Sequence, residues 1–237
     1  DRFNSYRYYS TAQLFTLYRI QSLRAAGLSI SEIADVLSGA DEAFLLRQKR
    51  KALQNDLAQI KRRIAAVDYL LAESGLEKKS MYSAVIKEIP ECIVFAKTGC
   101  VKHYADFMTL IPEIGAEVAA ANPNLKCTVP DYCFMQYIDK GYQTENVRYE
   151  FCQAVESFGV ETETITFKKL PAATVVSILH KGRYDDLGRA YAFVFDWIEK
   201  NGYTVCGMPR ECYIDGVWNC ESESDWLTEL QIPISRE

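Results

Sequence analysis

At 237 residues with 49% hydrophobic content, the chain can bury one core of domain size and a smaller attachment, and no apolar run approaches the roughly 18 residues that cross a bilayer. The net charge of −5 divides unevenly, because residues 1–80 carry 13 Lys/Arg against 9 Asp/Glu (+4) and residues 81–237 carry 14 against 23 (−9). The first part suits a polyanion, whereas the second would repel one and attract cations. Eight cysteines show no CxxC and no histidine at zinc-site spacing, and the sequence shows no signal peptide, so free thiols in a reducing cytoplasm are expected. With only His103 and His180 available, neither a metal site nor a cofactor is expected.

From the amino terminus, DRFNSYRYYS places a turn at Asn4 and Ser5 before a short aromatic and basic run. Ser10 with Gln13 forms a capping-box pattern, Leu14, Leu17, Ile20 and Leu23 mark an apolar helix face, and Gly27 fits its stop. Ser29 with Glu32 opens a second, shorter helix that stops near Gly39. Between Asp41 and Gly75, Leu46, Leu53, Ile60 and Val67 fall seven apart, and Leu57, Ile64 and Leu71 repeat the spacing with an offset of four. This heptad seam, broken at Arg50 and flanked by Lys61, Arg62, Arg63 and Asp68, predicts pairing with a second copy of the chain. The alternative is an ordinary amphipathic helix packed on the chain's own domain.

Residues 81–237 contain an internal repeat. KEIPECIVFAKTG from Lys87 matches KKLPAATVVSILHKG from Lys168, setting Pro90 opposite Pro171. HYADF at His103 then matches RYDDL at Arg183, PDYCFMQYID at Pro130 matches PRECYID at Pro209, and VRYEFCQAV at Val147 matches WLTELQIPI at Trp226. Each copy reads strand, helix, strand, strand. Two such units joined through their sheets, with helices on one face, give an α+β domain with a cleft on a pseudo-twofold axis.

The run YRYYS-xx-QL, then L-R-xx-G-LS-I-x-EIA-x-VL, then a long helix resembles the carboxy-terminal half of the DNA-binding domain of MerR-family transcription regulators. The resemblance implies a wing whose Tyr6, Arg7, Tyr8 and Tyr9 lie along the phosphate backbone of promoter DNA, and arginine and phenols do suit phosphate oxygens. It also implies an antiparallel coiled-coil homodimer, and an indirect effect on RNA polymerase through distortion of the promoter. Family members begin with a helix-turn-helix that this sequence does not include, so weak, salt-dependent DNA binding is expected of the chain as it stands. Residues 1–40 then form a partial winged-helix DNA-binding domain and residues 41–76 the dimerisation helix.

Residues 81–237 resemble the GyrI-like effector-binding domain of multidrug-binding regulators, on LHKGRY-DD-L at Leu179, EKNGY at Glu199, REC-Y at Arg210 and TEL-x-IP at Thr228. By that resemblance Glu211 meets lipophilic cations inside an aromatic pocket, with Tyr104, Tyr184 and Trp226 as aromatic candidates and Glu229 as a second carboxylate. Glu211 lies in an apolar segment, Cys206 to Ile214, where a carboxylate is costly unless a positive charge answers it. A hydrophobic cation would do so; the alternative is an internal base such as Arg210. For Glu229 the alternative is a structural role, since Glu150 holds the same place in the first copy. A ligand-responsive, dimeric, non-enzymatic regulator is expected, and a GyrI-like small-molecule hydrolase or drug-sequestering protein is the competing reading.

Overall fold

The side chains that open each of the first two helices also explain where they begin. Ser10 and Ser29 each accept from the backbone N–H three residues on, and Gln13 and Glu32 reach back to the capping N–H, so both capping boxes close. The computed structural model describes residues 10–74, 82–139, 141 and 143–236. Helix α1 runs Thr11–Ala25, α2 runs Ile30–Leu37 and α3 runs Glu42–Ser74. Gly27 turns between α1 and α2 at φ +86, a conformation that side chains resist. Leu23, Leu28, Ile33 and Val36 bury a small core there, joined by Ile20, Leu45 and Leu46.

The chain divides into two compact units, the first ending at Gln59 and the second beginning at Ile60, so the division lies within α3. On α3 the seam residues Leu53, Leu57, Ile60, Ile64 and Val67 are all exposed. Another face of its carboxy-terminal turns packs on the second unit: Ala65 is buried, and Lys61 and Arg62 reach acidic partners in the sheet. The packed face agrees with the intramolecular reading of this helix, and the exposed seam is left free to pair with another surface.

The second unit is built on one antiparallel sheet. Its strands are β1 (Val85–Ile89), β2 (Cys92–Val101), β3 (Cys133–Tyr137), β4 (Val147–Val155), β5 (Thr166–Leu170), β6 (Ala173–Lys181), β7 (Tyr203–Val205), β8 (Arg210–Asp215) and β9 (Leu227–Arg236). The order is β1-β6-β9-β8-β3-β4-β2-β5, with β7 paired to β9. Helices α4 (Phe107–Ala121) and α5 (Leu187–Lys200), each entered through a short 3-10 turn at Tyr104–Asp106 or Tyr184–Asp186, close the repeat. Exchanging β1 with β5, β2 with β6, β3 with β8 and β4 with β9 reverses that strand order, which is the signature of a pseudo-twofold axis between β3 and β8.

Each copy opens with one more strand than its pattern suggested, and the second gains β7 as well. Pro90 and Pro171 do not lie within strands but in the turns β1–β2 and β5–β6, consistent with a residue that cannot donate to a ladder. The extra strands are exchanged: β1 pairs with β6 of the second copy, and β5 with β2 of the first. Two part-buried ion pairs repeat the exchange, Lys87 on β1 with Glu229 on β9 and Lys168 on β5 with Glu150 on β4. Both α helices cover the same sheet face, α4 through Phe107, Ile114 and Val118 and α5 through Leu187, Ala190, Val194 and Ile198. No helix among the described residues is long and apolar enough to cross a membrane.

Candidate ligand-binding site

On the axis itself, Met135 of β3 pairs with Glu211 of β8. Strand alternation sets both on the helix-covered face, and Glu211 is only 4% exposed. Tyr213, two residues along β8, shares that face and donates to Glu211 Oε2 at 2.7 Å. Tyr191 of α5 donates to Oε1 at 2.6 Å. Tyr213 has committed its single proton, so Tyr137 of β3 donates to the Tyr213 hydroxyl at 2.9 Å. Among the described residues no lysine, arginine or histidine side chain forms an ion pair with Glu211. Burial therefore raises its pKa, opposed only by the two phenolic hydrogen bonds. Burial likewise pushes Tyr184 up to about 12 and Tyr137, Tyr191 and Tyr213 well above the usual phenol range, so all four remain donors.

Aromatic rings extend outward from this carboxylate on both sides of the axis. Tyr184 stacks on Trp226 at 4.4 Å and meets Tyr213 edge-on at 5.3 Å. Across the axis Tyr104 meets Tyr137 edge-on at 5.5 Å. Tyr104, Tyr184 and Trp226 are half-buried, whereas Glu211 is buried. The indole Nε1 of Trp226 is buried and has no hydrogen-bond partner among the described residues.

The structure thus brings Glu211, Tyr184, Trp226 and Tyr104 into one aromatic group. Tyr6, Arg7, Tyr8 and Tyr9 lie outside the described residues. Arg210 does not answer Glu211: it is buried over the Phe134 ring, 5.1 Å from its centroid, and donates to the Tyr132 hydroxyl. Glu229 does not join the group. It pairs in register with Cys212 and so faces the opposite side of the sheet, where Lys61 (2.5 Å), Lys87 (2.6 Å) and the Ser177 hydroxyl (2.7 Å) hold it. Burial would raise its pKa, but the two ammonium charges outweigh that and hold it at about 2.

Sequence reasoning missed Tyr137, Tyr191 and Tyr213. The first and last had a signal, since Q-Y-I-D and C-Y-I-D match between copies and Tyr213 shares a strand face with Glu211. For Tyr191 the signal is a mismatch, because the first copy has Ile111 at that helical position. Met135 opposite Glu211 is another break in symmetry, as is Val147 opposite Trp226, so the carboxylate, one of its donors and one of the rings are among the places where the copies diverge.

The sequence matches the model of the GyrI-like small molecule binding domain over residues 84–235 and that of the MerR HTH family regulatory protein over residues 3–40. The chain is 38% identical to EcmrR in the cryo-electron microscopy structure of an EcmrR–DNA complex in EcmrR-RPo, covering 100% of this chain and 88% of that one with a TM-score of 0.64. It is 46% identical to the crystallised EcmrR C-terminal domain, covering 67% of this chain and all of that one, with a TM-score of 0.63. A hydrolase from Listeria innocua shares the fold at 9% identity, covering 70% of this chain and 98% of that one, with a TM-score of 0.50. No curated protein matches the sequence.

Proposed function

The chain belongs to the MerR-type regulators that carry a GyrI-like effector-binding domain, and on that footing we propose that this domain captures a lipophilic organic cation between its aromatic rings and Glu211. The observation that carries the reading is a fully buried glutamate held by two phenols and by no cationic side chain among the described residues. Desolvation disfavours that charge, and a hydrophobic cation removes the penalty while each ring adds roughly 0.5–2 kcal/mol of cation–π attraction. Tyr104, Tyr184 and Trp226 supply the rings. Glu229, already neutralised by two lysines, acts through the fold.

In this reading residues 1–40 hold promoter DNA, with Tyr6, Arg7, Tyr8 and Tyr9 on phosphates. Residues 41–76 pair two copies as an antiparallel coiled coil, which would cover Leu53, Leu57, Ile60, Ile64 and Val67. Residues 81–237 sense the ligand, and RNA polymerase responds through the DNA. In this reading the site binds its ligand and does not turn it over: among the described residues Glu211's side-chain partners are Tyr191 and Tyr213, while His180 is bonded elsewhere, to Tyr82 and the Arg183 carbonyl.

Calorimetric titration with tetraphenylphosphonium tests the site. Affinity near the micromolar range, about −8 kcal/mol, that falls at least tenfold in Glu211→Gln is the expected result. Equal affinity in both proteins would remove Glu211 from the role. Conversion of a reactive ester by wild-type protein but not by Glu211→Gln would favour the hydrolase.

A further inference from the structure

Strand β8 carries more than Glu211 and Tyr213 toward the rings. Immediately after it, Gly216 to Cys220 form a tight turn in which the N–H groups of Asn219 and Cys220 donate to the Gly216 carbonyl at 3.1 and 2.9 Å. The Gly216 N–H returns to Asn219 Oδ1 at 2.9 Å. This turn presents Trp218, which is 57% exposed. An indole is poorly suited to water, and no packing need of the sheet places it there.

Its neighbours indicate a use. A β-carbon at Gly216 would stand 2.5 Å from the six-membered ring of Trp218 and 2.5 Å from the hydroxyl of Tyr184. Only glycine permits this approach, which sets the Trp218 ring and the Tyr184 hydroxyl on the same glycine, within about 5 Å of each other. One face of Tyr184 is covered by Trp226, and Tyr213 meets it edge-on. Trp218 thus extends the aromatic wall at its solvent end with a ring that still has surface to bury. The turn is also anchored: Asn219 Nδ2 donates to Asp215 Oδ1 at 2.8 Å, and Asp215 accepts two bonds of 2.7 Å from Arg62 of α3. The indole is therefore presented from a fixed position.

We propose that Trp218 is a ligand-contacting, specificity-determining residue that closes the outer end of the site over a bound aromatic cation. This rests on the cation-binding reading of Glu211 and adds to it that ligand size is sensed at the rim, apart from charge at the base. Ligands long enough to span from the carboxylate to Trp218 gain a second aromatic face, while compact ones do not.

The test is a set of titrations of wild type, Trp218→Ala, Trp218→Phe and Glu211→Gln with rhodamine 6G, an extended planar cation, and tetramethylammonium, a compact one. Trp218→Ala is expected to weaken rhodamine 6G roughly fivefold or more, with most of the loss restored in Trp218→Phe, and to leave tetramethylammonium within twofold. Glu211→Gln is expected to weaken both. Because Trp218 is exposed, its variants should melt with wild type. The tryptophan emission change that rhodamine 6G produces should also shrink in Trp218→Phe, which retains Trp197 and Trp226. If wild type binds rhodamine 6G and Glu211→Gln does not, yet Trp218→Ala is indistinguishable from wild type by affinity and emission, the inference fails and the site stands. If wild type binds neither cation, both fail together.

Discussion

Two glutamates on adjacent strands, Glu211 of β8 and Glu229 of β9, are both buried in the same sheet, yet their surroundings differ in kind. On the face away from the helices, Glu229 has Lys61 from α3, Lys87 from β1, Ser177 and Gln231, and its charge is fully answered from within. On the helix-covered face, Glu211 has two phenols and no cationic side chain among the described residues. The difference separates cohesion from recognition. A compensated carboxylate ties elements together, and here it ties three of them. One that is solvated but not neutralised holds an attraction in reserve for a charge arriving from outside.

The largest effect should follow from stripping the compensation. Replacing both Lys61 and Lys87 with Met leaves Glu229 buried and unpaired, and should cost about 3 kcal/mol of stability in denaturant unfolding. Adding Glu229→Gln to that pair should recover much of the loss; if the double variant is as stable as wild type, the assignment of Glu229 to cohesion is wrong. A smaller loss, about 1–2 kcal/mol, is expected for Arg62→Met, which leaves Asp215 with the Asn219 hydrogen bond and the more distant charge of Lys181, since Arg62 is itself 47% exposed and screened.

The two carboxylates should also respond oppositely to pH. Glu229 has a depressed pKa, so its contribution is present above the ordinary carboxylate range and is lost as pH falls toward about 2. Glu211 has a raised pKa, so burying its charge costs stability once pH exceeds its unfolded value, and the cost grows until pH passes its folded value. Glu211→Gln should therefore melt a few degrees above wild type at pH 7, with the gain vanishing at pH 4. A constant difference across that range would show that ionisation is not its source. Cation affinity should rise over the same interval, because the ionised form binds.

Much of the fold was legible because its signals are local or repeated. Ser10 with Gln13 and Ser29 with Glu32 contain within four residues everything needed to start a helix, and both form as read. The repeat exposed the axis, and the apolar context of Glu211 identified an unusual carboxylate. What escaped reading depends on distance. Lys61 and Arg62 appeared as flanks of a helical seam, whereas their partners stand 168 and 153 residues further along. Tyr191 sits in a helix with aromatics on several faces, and only the packed geometry selects the hydroxyl that meets Glu211. The exchange of β1 and β5 was hidden because Pro90 and Pro171 each follow an apolar residue, Ile89 or Leu170, and precede a long apolar run, so each pair of strands read as one.

That exchange sets a timetable for the nascent chain. Val85 of β1 pairs with Ser177 of β6, so β1 leaves the ribosome some 90 residues before its partner. At about 5–20 residues per second, it waits on the order of 5–20 s with an unpaired ladder. A long apolar strand in that position would invite pairing with a neighbouring polypeptide. β1 is five residues long and carries Lys87 and Glu88 at its centre, so it waits as a poor template, and Lys87 gains its buried partner only when β9, the last strand made, arrives.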